Sequence, residues 1–241
     1  SIAKEIESNN KEDKKTNLIL PVGPTGHYPL LAKIINRKKL ELDNCRFFFM
    51  DEYCDDNGFP LPEEHPLSFK GEMKEIFFEK IDPKYKIPEE QVVFPNEDNL
   101  HKIPAMIERA GGIDTCYGGI GIHGHVAFNE PEPGVEDSDP RMVYLNEYTV
   151  TINAIRAGVG GDLVNFPDKA LTIGMNQVLN SDRVRLYCRN DIENLDWANT
   201  VLRLAILGDP EEDYPVTFLT EHENYKVITD ERTAKKPQHI L

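Results

Sequence analysis

Two histidines and a carboxylate lie close together in the run Gly118-Gly119-Ile120-Gly121-Ile122-His123-Gly124-His125-Val126-Ala127-Phe128-Asn129-Glu130-Pro131. Histidine titrates nearest neutrality, so it can give and take protons. Glu130 stands five residues beyond His125, within reach to orient it. The glycines let backbone approach a ligand or take positive φ. The apolar run Ile113 to Ile120 comes first, and a strand ending in such a turn is where open α/β sheets bind ligands. The plainer reading is a glycine-rich turn with incidental histidines. His123, His125 and Glu130 could also ligate a metal, but three ligands are a thin set and no fourth stands out. A structural role for His125 outranks metal binding, and no metal is expected.

Two other strand ends carry chemical groups. Pro21-Val22-Gly23-Pro24-Thr25-Gly26 separates an apolar run from a helical pattern. Backbone N–H groups at a helix N-terminus suit a phosphate, and Thr25 adds a hydroxyl. A plain strand-to-helix turn explains the segment equally well. Met50-Asp51-Glu52-Tyr53 follows a phenylalanine run. Adjacent strand residues face opposite sides, so one of the two acids can face a cleft as a general base. The alternative is an acidic cap on the next turn.

These ends need a scaffold, and the pattern supplies one. Asn17 to Val22, Phe47 to Met50, Ile113 to Ile120, Ala170 to Ile173 and Val184 to Cys188 read as strands one to five. Val216 to Leu219 and Tyr225 to Ile228 read as late short strands. Helical spacing recurs at Tyr28, Leu31, Ile34 and Ile35, again at Phe69, Met73, Ile76 and Phe77, over His101 to Ala110, and near Leu195 to Leu207. Strands alternating with helices predict an α/β fold, an open and mostly parallel sheet flanked by helices. Asn9 to Thr16 reads as a surface turn, and the acidic, proline-rich Pro131 to Pro140 as a mobile loop beside the site.

The 241 residues suffice for one large α/β domain or two small ones. A net charge of −15 disfavours nucleic acid and anionic membrane, though not an anionic metabolite in a locally positive site. Cys45, Cys54, Cys116 and Cys188 are scattered without a C-x-x-C pair and read as reduced cytoplasmic thiols. No apolar stretch approaches a membrane span, and no signal peptide is visible. The chain opens on Ser1 rather than Met, as a chain lacking its extreme N-terminus would.

In order, Leu20-Pro21-Val22-Gly23, Phe49-Met50-Asp51-Glu52-Tyr53, Glu64-His65-Pro66-Leu67-Ser68-Phe69, Gly118 to Pro131, Ala170-Leu171-Thr172-Ile173-Gly174 and Asp230-Glu231 resemble the glucosamine-6-phosphate deaminase (isomerase) family. The resemblance spans nearly the whole chain and implies one Rossmann-like domain over residues 1–241. It also implies cofactor-free aldose–ketose chemistry on an amino-sugar phosphate, with ammonia released, and is compatible with a homo-oligomer. By the same resemblance Asp51 is the proton-shuttling base, His125 assists ring opening and Glu130 orients it. His123 completes the expected catalytic set, and Gly23, Thr25, Glu52, Gly119, Gly121 and Arg156 the substrate contacts.

Three departures stand out. The family has Asp-Gly-His where this chain has His123-Gly124-His125, replacing an acceptor-only carboxylate by imidazole. In the phosphate loop Val22 lacks a hydroxyl and Pro24 an N–H. The family's lysine after the fifth strand has no clear match in Arg189-Asn190-Asp191-Ile192. Alternatives are a 6-phosphogluconolactonase-like hydrolase, which shares the fold, and a non-catalytic sugar-phosphate sensor.

Overall fold

Thr16–Leu20 (β1) and Cys45–Phe49 (β2) lie side by side in parallel, Leu18 opposite Phe47 and Leu20 opposite Phe49. Successive side chains of a strand face opposite ways, and here both ways are inward. Leu18, Leu20, Phe47 and Phe49 pack on one face with Ile6, Ile35 and Met73, whereas Ile19 and Phe48 pack on the other with Ile103 and Val201. Burial on both faces explains the unbroken apolar runs. The computed structural model describes residues 1–159, 161–190 and 196–237.

The short strands Asp51–Tyr53 (β3) and Val92–Val93 (β4) follow, then Thr115–Gly119 (β5), Arg141–Tyr144 (β6), Lys169–Thr172 (β7), Val184–Tyr187 (β8) and Tyr225–Ile228 (β9). Six of them form a wholly parallel sheet in the order β4-β2-β1-β5-β8-β9. The helices are Ile2–Lys11 (α1), Tyr28–Lys38 (α2), Phe69–Ile76 (α3), Ile103–Ala110 (α4), Glu147–Ala157 (α5), Met175–Leu179 (α6) and Trp197–Leu207 (α7). Side chains of α1, α2 and α3 join the core on one face of this sheet, and those of α4, α6 and α7 the core on the other. Among the described residues no helix is long and apolar enough to cross a membrane.

The strand order places the site. From β1 the chain builds outward through β2 and β4, then returns to add β5 on the other side of β1. Between β1 and β5 the winding reverses, and open α/β sheets place their ligand crevice at such a point, beyond the carboxyl ends of the strands. A second, antiparallel sheet in the order β3-β7-β6 borders it. It is tied to the main sheet where Ile173 N–H donates to the Met50 carbonyl at 2.8 Å.

Several expectations give way to tertiary context. The segment expected as a fourth strand of the parallel sheet is β7, which pairs antiparallel with β3 and β6 instead. Pro215–Glu221 is a 3-10 helix rather than a strand at Val216 to Leu219. Pro215 has no N–H for a ladder, and the helical turn buries both Val216 and Leu219 in the core shared with α7. The surface turn expected from Asn9 is helical to Lys11. The acidic stretch Pro131 to Pro140 is held down: Val135 is fully buried, and Ser138 Oγ accepts Met175 N–H at 3.0 Å. Leu195, where the last helix was expected to begin, lies outside the described residues, and the helix runs from Trp197. The four cysteines are free and buried.

Candidate active site

Two glycines decide how tightly the crevice closes. A side chain at Gly119 would stand 3.1 Å from the Gly23 carbonyl, so the loops after β1 and β5 touch there. A side chain at Gly121 would fall 1.9 Å from His125 Nε2. The imidazole therefore lies flat on bare backbone, and Gly121 N–H donates to the His125 carbonyl at 2.9 Å. Residues His123 and His125 are separated by Gly124 at φ +92°, which folds both rings toward one place.

There they meet Glu130 and the start of α5. Glu130 Oε2 is 3.0 Å from His123 Nε2 and 3.8 Å from His125 Nδ1. Asn146 caps α5 by accepting Thr149 N–H at 3.0 Å. Its NH2 therefore points into the cluster, 2.6 Å from Glu130 Oε2 and 2.7 Å from His123 Nε2. Thr149 Oγ1 lies 3.4 Å from His125 Nδ1. Burial pushes the His125 imidazole down to about 4, further than the Glu130 carboxylate raises it, with His123 and Arg156 also opposing its charge. Burial raises the Glu130 carboxyl, but His123, His125 and Thr149 outweigh it and hold the group below its ordinary range. At neutral pH the pair is thus a neutral imidazole beside a carboxylate. Such an imidazole can accept a proton, and the carboxylate steadies the cation formed.

Asp51 and Glu52 divide as adjacent strand residues must. Glu52 takes Phe69 N–H at 2.9 Å, Lys70 N–H at 2.8 Å and the Ser68 hydroxyl at 3.3 Å, so its carboxylate caps α3. The expectation of Glu52 as a substrate contact is corrected accordingly: both of its oxygens serve the helix N-terminus. Asp51 is buried, and burial together with the Glu52 charge pushes its carboxyl up to about 8. Its backbone pairs with Thr172, whose hydroxyl accepts Phe128 N–H at 3.1 Å. One ladder therefore links Asp51 to the loop that bears His125 and Glu130.

The first loop is poorer in donors than its spacing promised. The Gly23–Pro24 peptide is cis, and the Thr25 hydroxyl is hydrogen-bonded to Glu72 of α3, whose carboxyl is raised by burial. Arg156 is exposed near the end of α5, its guanidinium 5.7 Å from the Trp197 ring centre. It still lies close enough to oppose protonation of His125. Asp191 and Ile192, in the run compared with the family lysine, lie outside the described residues.

Asn146 and Thr149 are site residues that the sequence reading missed. The signal was present as Asn146-Glu147-Tyr148-Thr149, a capping residue at a helix start. The β-branched run Val150-Thr151-Ile152 obscured the helix behind it.

No protein-family model matches the chain. It is 31% identical over 239 residues to the glucosamine-6-phosphate deaminase of Thermoanaerobacter sp. (strain X514), covering 95% of this chain and 87% of the relative. It is 33% identical over 189 residues to that of Caenorhabditis elegans, covering 77% and 68%. Among solved structures, a monomeric glucosamine-6-phosphate deaminase of the NagB superfamily superposes with a TM-score of 0.80 at 27% identity, over 97% of this chain and 93% of that one. The 6-phosphogluconolactonase of Thermotoga maritima has the same fold, with a TM-score of 0.65 at 19% identity, over 95% and 90%. A relative more than 30% identical along nearly the whole length, with the fold to match, settles the kinship: this chain belongs to the glucosamine-6-phosphate deaminase family.

Proposed function

We propose that the protein is an amino-sugar phosphate isomerase/deaminase of the kind that converts glucosamine 6-phosphate to fructose 6-phosphate and ammonia. The observation that carries this is the His125–Glu130 pair, seated on Gly121 at the winding reversal, with Asp51 buried at the neighbouring strand end. Neutral His125 takes the proton of the anomeric hydroxyl and returns it to the ring oxygen, opening the ring, while Glu130 steadies the transient imidazolium. Asp51, as carboxylate, removes the C2 proton while the C1 carbonyl oxygen takes a proton from the C2 ammonium, giving an enolamine, and Asp51 then delivers its proton to C1. The resulting C2 imine adds water and loses ammonia, leaving the ketose. Gly23 and Gly119 present backbone to the sugar phosphate, Gly121 carries the His125 ring, Thr25 offers its hydroxyl once released from Glu72, and Arg156 supplies positive charge at the rim.

We read residues 1–241 as one domain, acting without cofactor or metal and compatible with a homo-oligomer. Buried free cysteines favour a reducing cytoplasm, and the charge of −15 disfavours nucleic acid and membrane partners. Ammonia release from glucosamine 6-phosphate, with galactosamine 6-phosphate in parallel, is the test. Turnover of either supports the reading. Lactone hydrolysis alone would favour the 6-phosphogluconolactonase alternative. Tight binding without turnover would favour a sensor, a reading the Thr25–Glu72 bond supports by drawing a hydroxyl away from phosphate.

A further inference from the structure

Three electron-pair donors converge beside the crevice. His123 Nε2 and Glu130 Oε2 are 3.0 Å apart, His125 Nδ1 is 3.8 Å from the same oxygen, and all three lie within 4.8 Å of one another. Around a tetrahedral zinc with bonds of about 2.0–2.1 Å, neighbouring donors stand roughly 3.3 Å apart. The two measured separations bracket that value. Two imidazoles and one carboxylate, with a fourth position left open, form a zinc donor set. Imidazole nitrogen selects zinc-like cations over magnesium or calcium.

His123 Nδ1 and Glu130 Oε1, the atoms turned away from the cluster, are buried without hydrogen-bond partners among the described residues, while the donors Nε2 and Oε2 face into it. Beside it stands the NH2 of Asn146, 2.6 Å from Glu130 Oε2 and 2.7 Å from His123 Nε2. That partial positive charge meets two of the three donors a cation would use. A cation could displace it without undoing α5, because the cap is made by the other end of the amide, Asn146 Oδ1.

We propose that His123, His125 and Glu130 form a three-ligand site for a zinc-class divalent cation, and that occupancy inhibits the protein by removing the His125–Glu130 pair from proton transfer. The inhibition rests on the deaminase reading above; the binding does not. The ion is an inhibitor rather than a cofactor, since the residues that move protons are those it ties up.

The experiment titrates metal-stripped full-length protein with zinc by calorimetry and with cobalt(II) by visible absorption. One equivalent is taken up per chain, and cobalt gives the intense bands of a tetrahedral site. In His123→Asn, with an unchanged circular dichroism spectrum, affinity falls by more than the roughly 10- to 100-fold that loss of an outer-shell partner costs. Glu130→Gln gives the same loss. Failure to bind one equivalent, or equal affinity in His123→Asn, overturns the site. Where wild type releases ammonia, saturating zinc stops it and chelator restores it; turnover that persists with zinc bound overturns the inhibition. A protein that binds zinc through His123 but deaminates neither amino-sugar phosphate removes the deaminase reading and leaves the site standing.

Discussion

Glu130 Oε2 lies nearer to His123 Nε2, at 3.0 Å, than to His125 Nδ1, at 3.8 Å. The carboxylate suited to orient His125 is thus drawn toward the residue that departs from the family pattern. His123→Asp removes the competing imidazole and lets Glu130 close on His125. Turnover of glucosamine 6-phosphate should rise, mainly in kcat, because the change acts on proton transfer rather than on phosphate binding. An unchanged or lower kcat would mean that the site is built around His123 for a different substrate.

Asp51→Asn removes the base while keeping its shape. Turnover should fall at least about 100-fold, with ligand binding retained. The same change should stabilise the fold at pH 8, because a buried carboxyl no longer has to ionise. The gain is on the order of 1–3 kcal/mol, seen as a rise in Tm of roughly 2–4 °C per kcal/mol. A variant that keeps a tenth of the activity would exclude Asp51 as the base.

The pH dependence follows from the same residue. Asp51 titrates near 8 in the folded protein against an ordinary 3.8, so the folded state holds a proton that the unfolded chain has lost. Stability should therefore decline as pH rises from about 4 to 8 and level off above. Activity, which needs the carboxylate, should climb through the upper part of that window. Because Glu52 stands beside it and is itself raised to about 7, the rise reports the pair rather than one group. A kcat/KM profile flat from pH 6 to 9 would contradict this.

Glu72→Gln should favour phosphate. The carboxyl is half-buried and hydrogen-bonded to Thr25 in the loop expected to take that group. Replacing it removes negative charge, and KM for glucosamine 6-phosphate should fall by about 3- to 10-fold with kcat little changed. Steady-state kinetics at low salt would show it. A raised KM would mean that Thr25 needs Glu72 to hold its hydroxyl in place.

Exhaustive chelation should leave turnover intact, or raise it if zinc copurifies. Loss of activity with chelator, restored by zinc or manganese, would make the histidine cluster a catalytic metal centre instead.

The parallel core was legible because β1 and β2 are buried on both faces and so appear as uninterrupted apolar runs. The His–Glu pair was legible because Gly121 and Gly124 are written into the chain beside it. The second sheet was not. β3 and β6 are short, and β7 gives no sign of whether its partners run parallel or antiparallel. The strand pattern alone could not choose between Asp51 and Glu52, and only the family resemblance named Asp51; the two differ in which face of a three-residue strand meets α3. Asn146 was hidden because its role depends on the helix it caps lying against the histidine loop.

The bond from Glu52 to the N-terminus of α3 has a bearing on how this protein can be re-engineered. Helix α3 also carries Glu72, which reaches the Thr25 loop, so one rigid rod touches both the neighbour of the proposed base and the loop proposed to take the phosphate. Substitutions that shift α3 to admit a longer or shorter sugar would drag Asp51 with it. Libraries that vary α3 alone should therefore trade substrate range against rate, whereas libraries that vary α3 and β3 together can separate the two.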